Sequence, residues 1–352
     1  MRDVAVIAFA QRLNEPCYDG GNDIEILIEP IRAAVEQSGL RRDQIDFTTG
    51  GSNDFLVGRA FSFLRALDAV GIHPAKEDSH VEMDAAWAFY EAWVRLQIGD
   101  IDTAMIWGLG KTSMGNIPEI MSLSVDPYYM APLGPDPASL AAIQARALID
   151  AGRCTERELA EIAAARQRSA VANPWVALEQ PKTVDAILAE GYRASPLRPS
   201  TCPPPTDGAA ALILAAGDVA RERCARPAWI RGVDHRTDGH SLGVRDLTRS
   251  ASARLAAERA GALEAPVEVA EIHAAFAHEE IILAEALGLG DGVQINPSGG
   301  ALGADPIMAT GLIRIGEAAR HVLEGRAGRV LAHATAGPCL QNNLVAVMEG
   351  ER

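Results

Sequence analysis

The sequence predicts an α/β protein made of two repeated βα halves with an inserted segment between them. Three observations lead there. Short, apolar, β-rich runs alternate with helical spacings in both halves of the chain. A Pro-rich stretch from 112 to 200, containing DPYYMAPLGPDP, interrupts that alternation. The order of elements before the interruption then returns after it, offset by about 220 residues. The resulting division is 1–111 with 201–220 as one half, 112–200 as an inserted loop domain, and 221–352 as the second half. A single doubly wound sheet is the plainer alternative.

Each element has a local reason. Residues 4–10 form a continuous apolar run, as a buried strand does. Residues 23–38 show helical spacing, with Asp23 placed as a cap. A second strand falls near 47–50. The Ala-rich segment 84–99 reads as an apolar helix and 103–108 as the strand after it. Inside the insertion, 137–151 and 155–171 read as amphipathic helices, and 208–215 is again an apolar strand. In the second half the strand 229–233 answers 4–10, a helix covers 247–261, and the strand 269–273 answers 47–50. The helix 307–323 and strand 329–333 answer 84–99 and 103–108.

The composition narrows the class. The 352 residues are 48% hydrophobic, enough for a large core. A net charge of −15 argues against a nucleic-acid surface, which needs clustered Lys and Arg. The N-terminal stretch has no basic start and no long apolar core of a signal peptide. No run of about 18 apolar residues marks a membrane span. Cys17, Cys154, Cys202, Cys224 and Cys339 are scattered, with no CxxC spacing, so neither a disulfide framework nor a zinc site is expected. A reduced, cytoplasmic location is the expectation.

Several segments carry a family resemblance. EIHAAFAHEEIILAEALGLGDGVQINPSGGALGADPIMATGL (271–312) resembles a thiolase-superfamily block, in which a His- or Asn-x-x-Phe motif precedes a helix, then Asn-Pro-Ser-Gly-Gly, then a Gly-His-Pro helix start. GRCTERELAEIAAARQRSAVANP (152–174), PLRPSTCPPPTDGAAALILA (196–215) and ATAGPCLQNNLVAVMEG (334–350) resemble further parts of its sterol-carrier-protein-type branch. The resemblance implies a thiolase-like fold in a five-layer αβαβα arrangement, two five-stranded sheets around buried helices, and a dimer. It also implies an acyl-CoA site between the halves, with a CoA thioester as substrate and no cofactor or metal. A helix starting after Ser298-Gly299-Gly300 would direct free N–H groups at the thioester.

The departures bear on the chemistry. A thiolase opens the buried helix of its first half with a cysteine, which is acylated as a thiolate. Here that stretch reads SHVEMDAAWAFYEAW, and Asp84 holds the cysteine position; the nearest cysteines are Cys17 and Cys154. In Gly303-Ala304-Asp305-Pro306, an aspartate replaces the second histidine. The first motif survives as His273-Ala274-Ala275-Phe276. His273 is a functional candidate or a core histidine. Asp84 and Asp305 are general bases or helix caps. Cys339 is a small buried residue or a residual nucleophile. Ser298, Gly299, Gly300, Gly337, Cys339 and Asn342 are the candidate substrate contacts. Tyr128 and Tyr129 line an acyl pocket or merely pack, and His278 reads as a helix-surface residue.

Without the nucleophile, such a scaffold suits retro-aldol cleavage of a β-hydroxyacyl-CoA, as in the thiolase-like steroid side-chain aldol lyases, also called lipid-transfer-protein-like. Those lyases place tyrosines at the positions of His273 and Asp305. The expectation is therefore a lyase subunit for a steroid side-chain CoA thioester, in which His273 polarises the carbonyl and Asp84 or Asp305 is the base. The resemblance implies partners too: a second thiolase-like chain and an OB-fold, zinc-ribbon acyl-CoA-associated protein. A non-catalytic subunit supporting a catalytic thiolase-like chain is the alternative, and an acyltransferase using Cys339 is a third.

Overall fold

The computed structural model describes residues 2–71 and 76–351. The first half runs β1 (Val4–Gln11), α1 (Glu25–Ser38), β2 (Phe47–Gly51), α2 (Asp54–Val57), α3 (Phe63–Val70), β3 (Glu77–Val81), α4 (Ala85–Ile98) and β4 (Thr103–Lys111). Then come α5 (Ile117–Ser122), α6 (Pro137–Asp150), α7 (Glu156–Val171) and α8 (Val184–Leu188). The chain returns to the first half with β5 (Asp207–Ala216) and α9 (Gly217–Arg223). The second half runs β6 (Ala228–Thr237), α10 (Ala251–Arg259), β7 (Val269–Ile272), α11 (Ala277–Ala286), β8 (Gln294–Ile295), α12 (Thr310–Leu323), β9 (Arg329–Ala336) and β10 (Asn342–Glu349).

The strand order is β3-β2-β4-β5-β1-β6-β10-β9-β7-β8. Read outward from the middle, each half has the same pattern. The first and fifth strands of a half pair antiparallel, the fifth with the fourth likewise, and the fourth, second and third run parallel. The repeat of element order is therefore a repeat of topology. The resemblance implied two separate sheets; instead β1 and β6 join them through Ala5–Trp229 and Val6–Ala228, giving one ten-stranded sheet.

Burial shows the layers. Alternate residues of β1 face opposite ways. Val4, Val6 and Phe9 pack with α4 and α12 between the half-sheets, whereas Ala5, Ile7 and Ala10 pack outward against α1 and α3. In the second half, Leu344, Ala346 and Met348 face the central helices; Val345 and Val347 face the layer of α6, α10 and α11. Five layers result. α4 packs against β2 and β4 and against α12, and its buried residues are all apolar.

Several local expectations change. Asp23 does not cap α1; Ile24 occupies the cap, and Asp23 pairs with Arg65 at 2.8 Å. The helix expected from 307 begins at Thr310, after a turn. β4, which lacks polar alternation, lies inside the sheet between β2 and β5, and its residues from Thr103 to Gly110 are buried within this chain. β3, the edge strand of this half, carries the sequence EDSHV and did not stand out by alternation. Among the described residues no helix is long and apolar enough to cross a membrane.

Candidate active site

The carboxyl ends of β7 and β9 and the amino ends of α4 and α12 converge, the usual place for a site in an open α/β sheet. Asp84 lies on the α4 side. Its Oδ1 accepts the Ala86 N–H at 2.8 Å, and its Oδ2 accepts the Gly311 N–H of α12 at 2.9 Å. The Ala85 N–H goes to the Met308 carbonyl at 2.9 Å. One carboxylate thus closes two helix starts, where N–H groups lack intrahelical partners. Gly311 permits this approach, since a Cβ there would lie 2.4 Å from Asp84 Oδ1. Burial pushes the Asp84 carboxyl up, against the lowering pull of the Ala86, Gly311 and Leu312 N–H groups.

Asp84→Asn turns one accepting oxygen into a donor that faces an N–H. We expect a loss of about 1–3 kcal/mol of stability, as for a buried group left unsatisfied. Thermal unfolding measures it. Cleavage per folded molecule should stay nearly unchanged; a drop of about 100-fold would return Asp84 to the role of base.

Asp305 lies between β8 and α12 in sequence, with Oδ1 accepting the Thr310 hydroxyl at 2.7 Å. Burial and the Asp84 charge raise its carboxyl to about 6, against the pull of Thr310 and Arg314. His273 follows β7 directly. Its backbone N–H donates to the His333 carbonyl at 3.1 Å, and its Nδ1 faces the Thr335 N–H at 3.5 Å. An Nδ1 that accepts leaves the proton on Nε2. Burial, helped by His333 and Arg314, lowers His273 to about 3, so the ring is neutral at ordinary pH. Nε2 lies 3.8 Å from Asp305 Oδ1, too far for a direct bond. A ligand oxygen could reach both groups at once. His273 and Asp305 are 9% and 7% exposed, so the pair is nearly enclosed by its own chain.

The turn Ser298-Gly299-Gly300 does something other than open a helix. Residues 301–303 are a turn, and α12 starts ten residues after Gly300 with its Gly311 N–H given to Asp84. Ser298 is held inside a buried ion pair: its N–H and hydroxyl donate to Glu271 at 3.0 and 2.7 Å, and Arg314 reaches Glu271 at 2.6 Å. Gly299, at φ 102°, lies where a Cβ would meet Ala170 at 2.6 Å. Gly300 approaches Asn296 in the same way.

The β9–β10 hairpin completes the surroundings. Gly337 starts its turn at φ 75°, and Cys339 and Leu340 also have positive φ. Arg245 fixes the turn by donating to the Pro338 and Cys339 carbonyls, each at 3.0 Å. The Cys339 thiol donates to the Leu140 carbonyl at 3.4 Å, and burial pushes it up to about 12. Such a thiol holds almost no thiolate at neutral pH. Asn342 binds the Thr237 hydroxyl and the Ala336 carbonyl. Asn343, its neighbour, accepts the His333 Nε2–H at its Oδ1 at 2.9 Å. Tyr128 and Tyr129 are 81% and 82% exposed, so neither packs into the core of this chain. His278 is not on the surface: it is fully buried, its Nε2 bonded to Gln144 Oε1 at 3.1 Å, because α11 packs against α6.

Sequence reasoning missed Glu271, Arg314, His333, Asn343 and Glu279. Glu279 had a signal: it stands three residues after Phe276, at the start of α11, where acids cap free N–H groups. The others are polar residues inside apolar elements, with partners supplied from far along the chain.

No family model matches the chain. It is 27% identical to the acetyl-CoA acetyltransferase of Methanothermobacter thermautotrophicus across 94% of this chain and 93% of that protein. Sterol carrier protein 2 of Bos taurus is 28% identical over 50% of this chain and 37% of its own length. The benzoylsuccinyl-CoA thiolase subunit BbsB of Thauera aromatica is 25% identical over 54% of this chain. In sequence the chain is similar to a thiolase along nearly its whole length, and its fold is thiolase-like. The fold matches that of a solved Ltp2-ChsH2(DUF35) aldolase at TM-score 0.82, with 17% identity over 99% of this chain and 98% of that one.

Proposed function

We propose that this chain is a carbon–carbon lyase subunit that cleaves a β-hydroxyacyl-CoA by retro-aldol chemistry, with a steroid side-chain thioester as the substrate class. The observation that carries the reading is the His273–Asp305 pair: a neutral Nε2–H donor beside a carboxyl raised to about 6. Asp305 as carboxylate takes the β-hydroxyl proton, the Cα–Cβ bond breaks, and the thioester enolate forms. The His273 Nε2–H holds the developing oxyanion. Asp305 returns the proton to the α-carbon, so the cycle needs no outside acid. Support also comes from Asp84, whose lone pairs are committed to two helices at the thiolase cysteine position.

A non-catalytic subunit remains the second reading, favoured by the near enclosure of the pair within this one chain. A partner that opens or completes the acyl-CoA site fits either reading. We propose a second thiolase-like chain and an OB-fold, zinc-ribbon protein as its kinds, consistent with the subunit and complex named in two of the similar proteins.

The test is release of a shortened ketone and an acyl-CoA from a β-hydroxyacyl-CoA steroid, assayed with and without the partner. No cleavage by any reconstituted complex would sink the proposal. Incubation with acetoacetyl-CoA should leave the intact mass unchanged, because no thiolate is available to be acylated. A stoichiometric acyl adduct on Cys339 would favour acyl transfer instead.

A further inference from the structure

Glu279 is the buried acid next to the site that the lyase cycle does not use. It lies on the first turn of α11, 4% exposed. Its Oε2 accepts the Ala275 N–H at 2.9 Å and the Phe276 N–H at 3.1 Å. Those two N–H groups belong to the loop directly after His273. His273 is thus held by β9, its backbone N–H on the His333 carbonyl and its ring at the Thr335 N–H, while Glu279 holds the loop that follows it. Resting on the reading of His273 and Asp305 as the reacting pair, we propose that Glu279 is a positioning residue. As a neutral acid it fixes the His273 loop, and once ionised it adds a negative charge beside Asp305 and Asp84 that opposes the enolate.

The electrostatics agree with the geometry. Burial raises Glu279 to about 7, with the Asp305 charge adding to that rise and the Phe276 and Ala275 N–H groups opposing it. Among the described residues, its own charge reaches the titratable Cys339 of the hairpin and Cys202 before β5, both of which burial holds protonated. His278 and Glu280 flank it on α11; His278 is a neutral ring on Gln144, and Glu280 pairs with Arg166 of α7 at 3.5 Å. The order of ionisation follows. Asp305 loses its proton at about 6, while Glu279 is still neutral, and Glu279 loses its own near 7. Between those values Asp305 is the charged base and Glu279 a neutral cap.

The experiment is the pH profile of kcat/KM for the reconstituted complex, beside carboxyl infrared spectra of the full-length chain. The wild type should fall roughly tenfold per pH unit above about 7. Glu279→Gln keeps the shape and an accepting oxygen; its acid limb should stay and its alkaline limb vanish. Glu279→Ala should lose turnover at every pH. A neutral-carboxyl band should disappear from the wild type between pH 6 and 8 and be absent from Glu279→Gln. An unchanged alkaline limb in Glu279→Gln, or no titrating band in the wild type, would overturn the proposal. A wild-type complex that cleaves nothing refutes the lyase reading instead, and a titrating band present in the wild type but missing from Glu279→Gln then decides whether Glu279 is this neutral acid.

Discussion

His273→Ala is expected to lower turnover of the reconstituted lyase by about 100- to 1000-fold, the usual cost of one donor to a developing oxyanion. Asp305→Asn should lose at least about 100-fold, since an amide keeps the Thr310 bond but accepts no hydroxyl proton. The pH dependence separates the roles. Asp305 acts as carboxylate, so activity should rise with pH through about 6 as its proton leaves. His273 is lowered to about 3 and acts as a neutral donor, so it adds no limb between pH 5 and 8. Steady-state rates across that range check both. If neither substitution slows the complex, the reaction is carried by another subunit and this chain is a scaffold.

The largest stability effect is expected at Arg314. It lies on α12, its side chain 5% exposed, against a Glu271 side chain that is wholly buried. Arg314→Leu leaves that carboxylate with Ser298 alone and should cost about 3–5 kcal/mol, as when one partner of a buried ion pair is removed. Burial already raises Glu271 and the Arg314 charge lowers it, so losing Arg314 raises it further. A raised carboxyl binds its proton more tightly in the folded chain than in the unfolded one. The variant's deficit should therefore shrink on acidification and grow as pH rises through the folded value. Thermal unfolding from pH 5 to 8 reads this directly. Adding Glu271→Gln to Arg314→Leu should recover much of the loss at pH 7. A single variant with wild-type unfolding, or a deficit that grows on acidification, would show that the pair is not buried in this way.

Periodicity was a good guide where one element decides its own environment. β1, β5 and α7 read correctly because a strand between two helical layers is apolar throughout, and because Thr155 and Glu158 form a local capping box. It failed where the environment came from elsewhere. TAMIWG lacks polar alternation because both faces of β4 are covered by its own chain, which a dimer face would equally explain from sequence. His278 reads as polar on a helix surface, and only the packing of α6 against α11 buries it.

By itself the sequence determined the repeated order of elements and the chemical kinds of residue at Asp84, His273 and Asp305. The tertiary structure decided what those side chains face. Asp84 receives its second N–H from Gly311, 227 residues away, and Nε2 of His273 meets Asp305 only because β7 and the start of α12 lie side by side. A carboxylate's role depends on which donors fill its lone pairs and how much water they leave. For Asp84 the Gly311 donor comes from the far half of the chain, so no local pattern could state it.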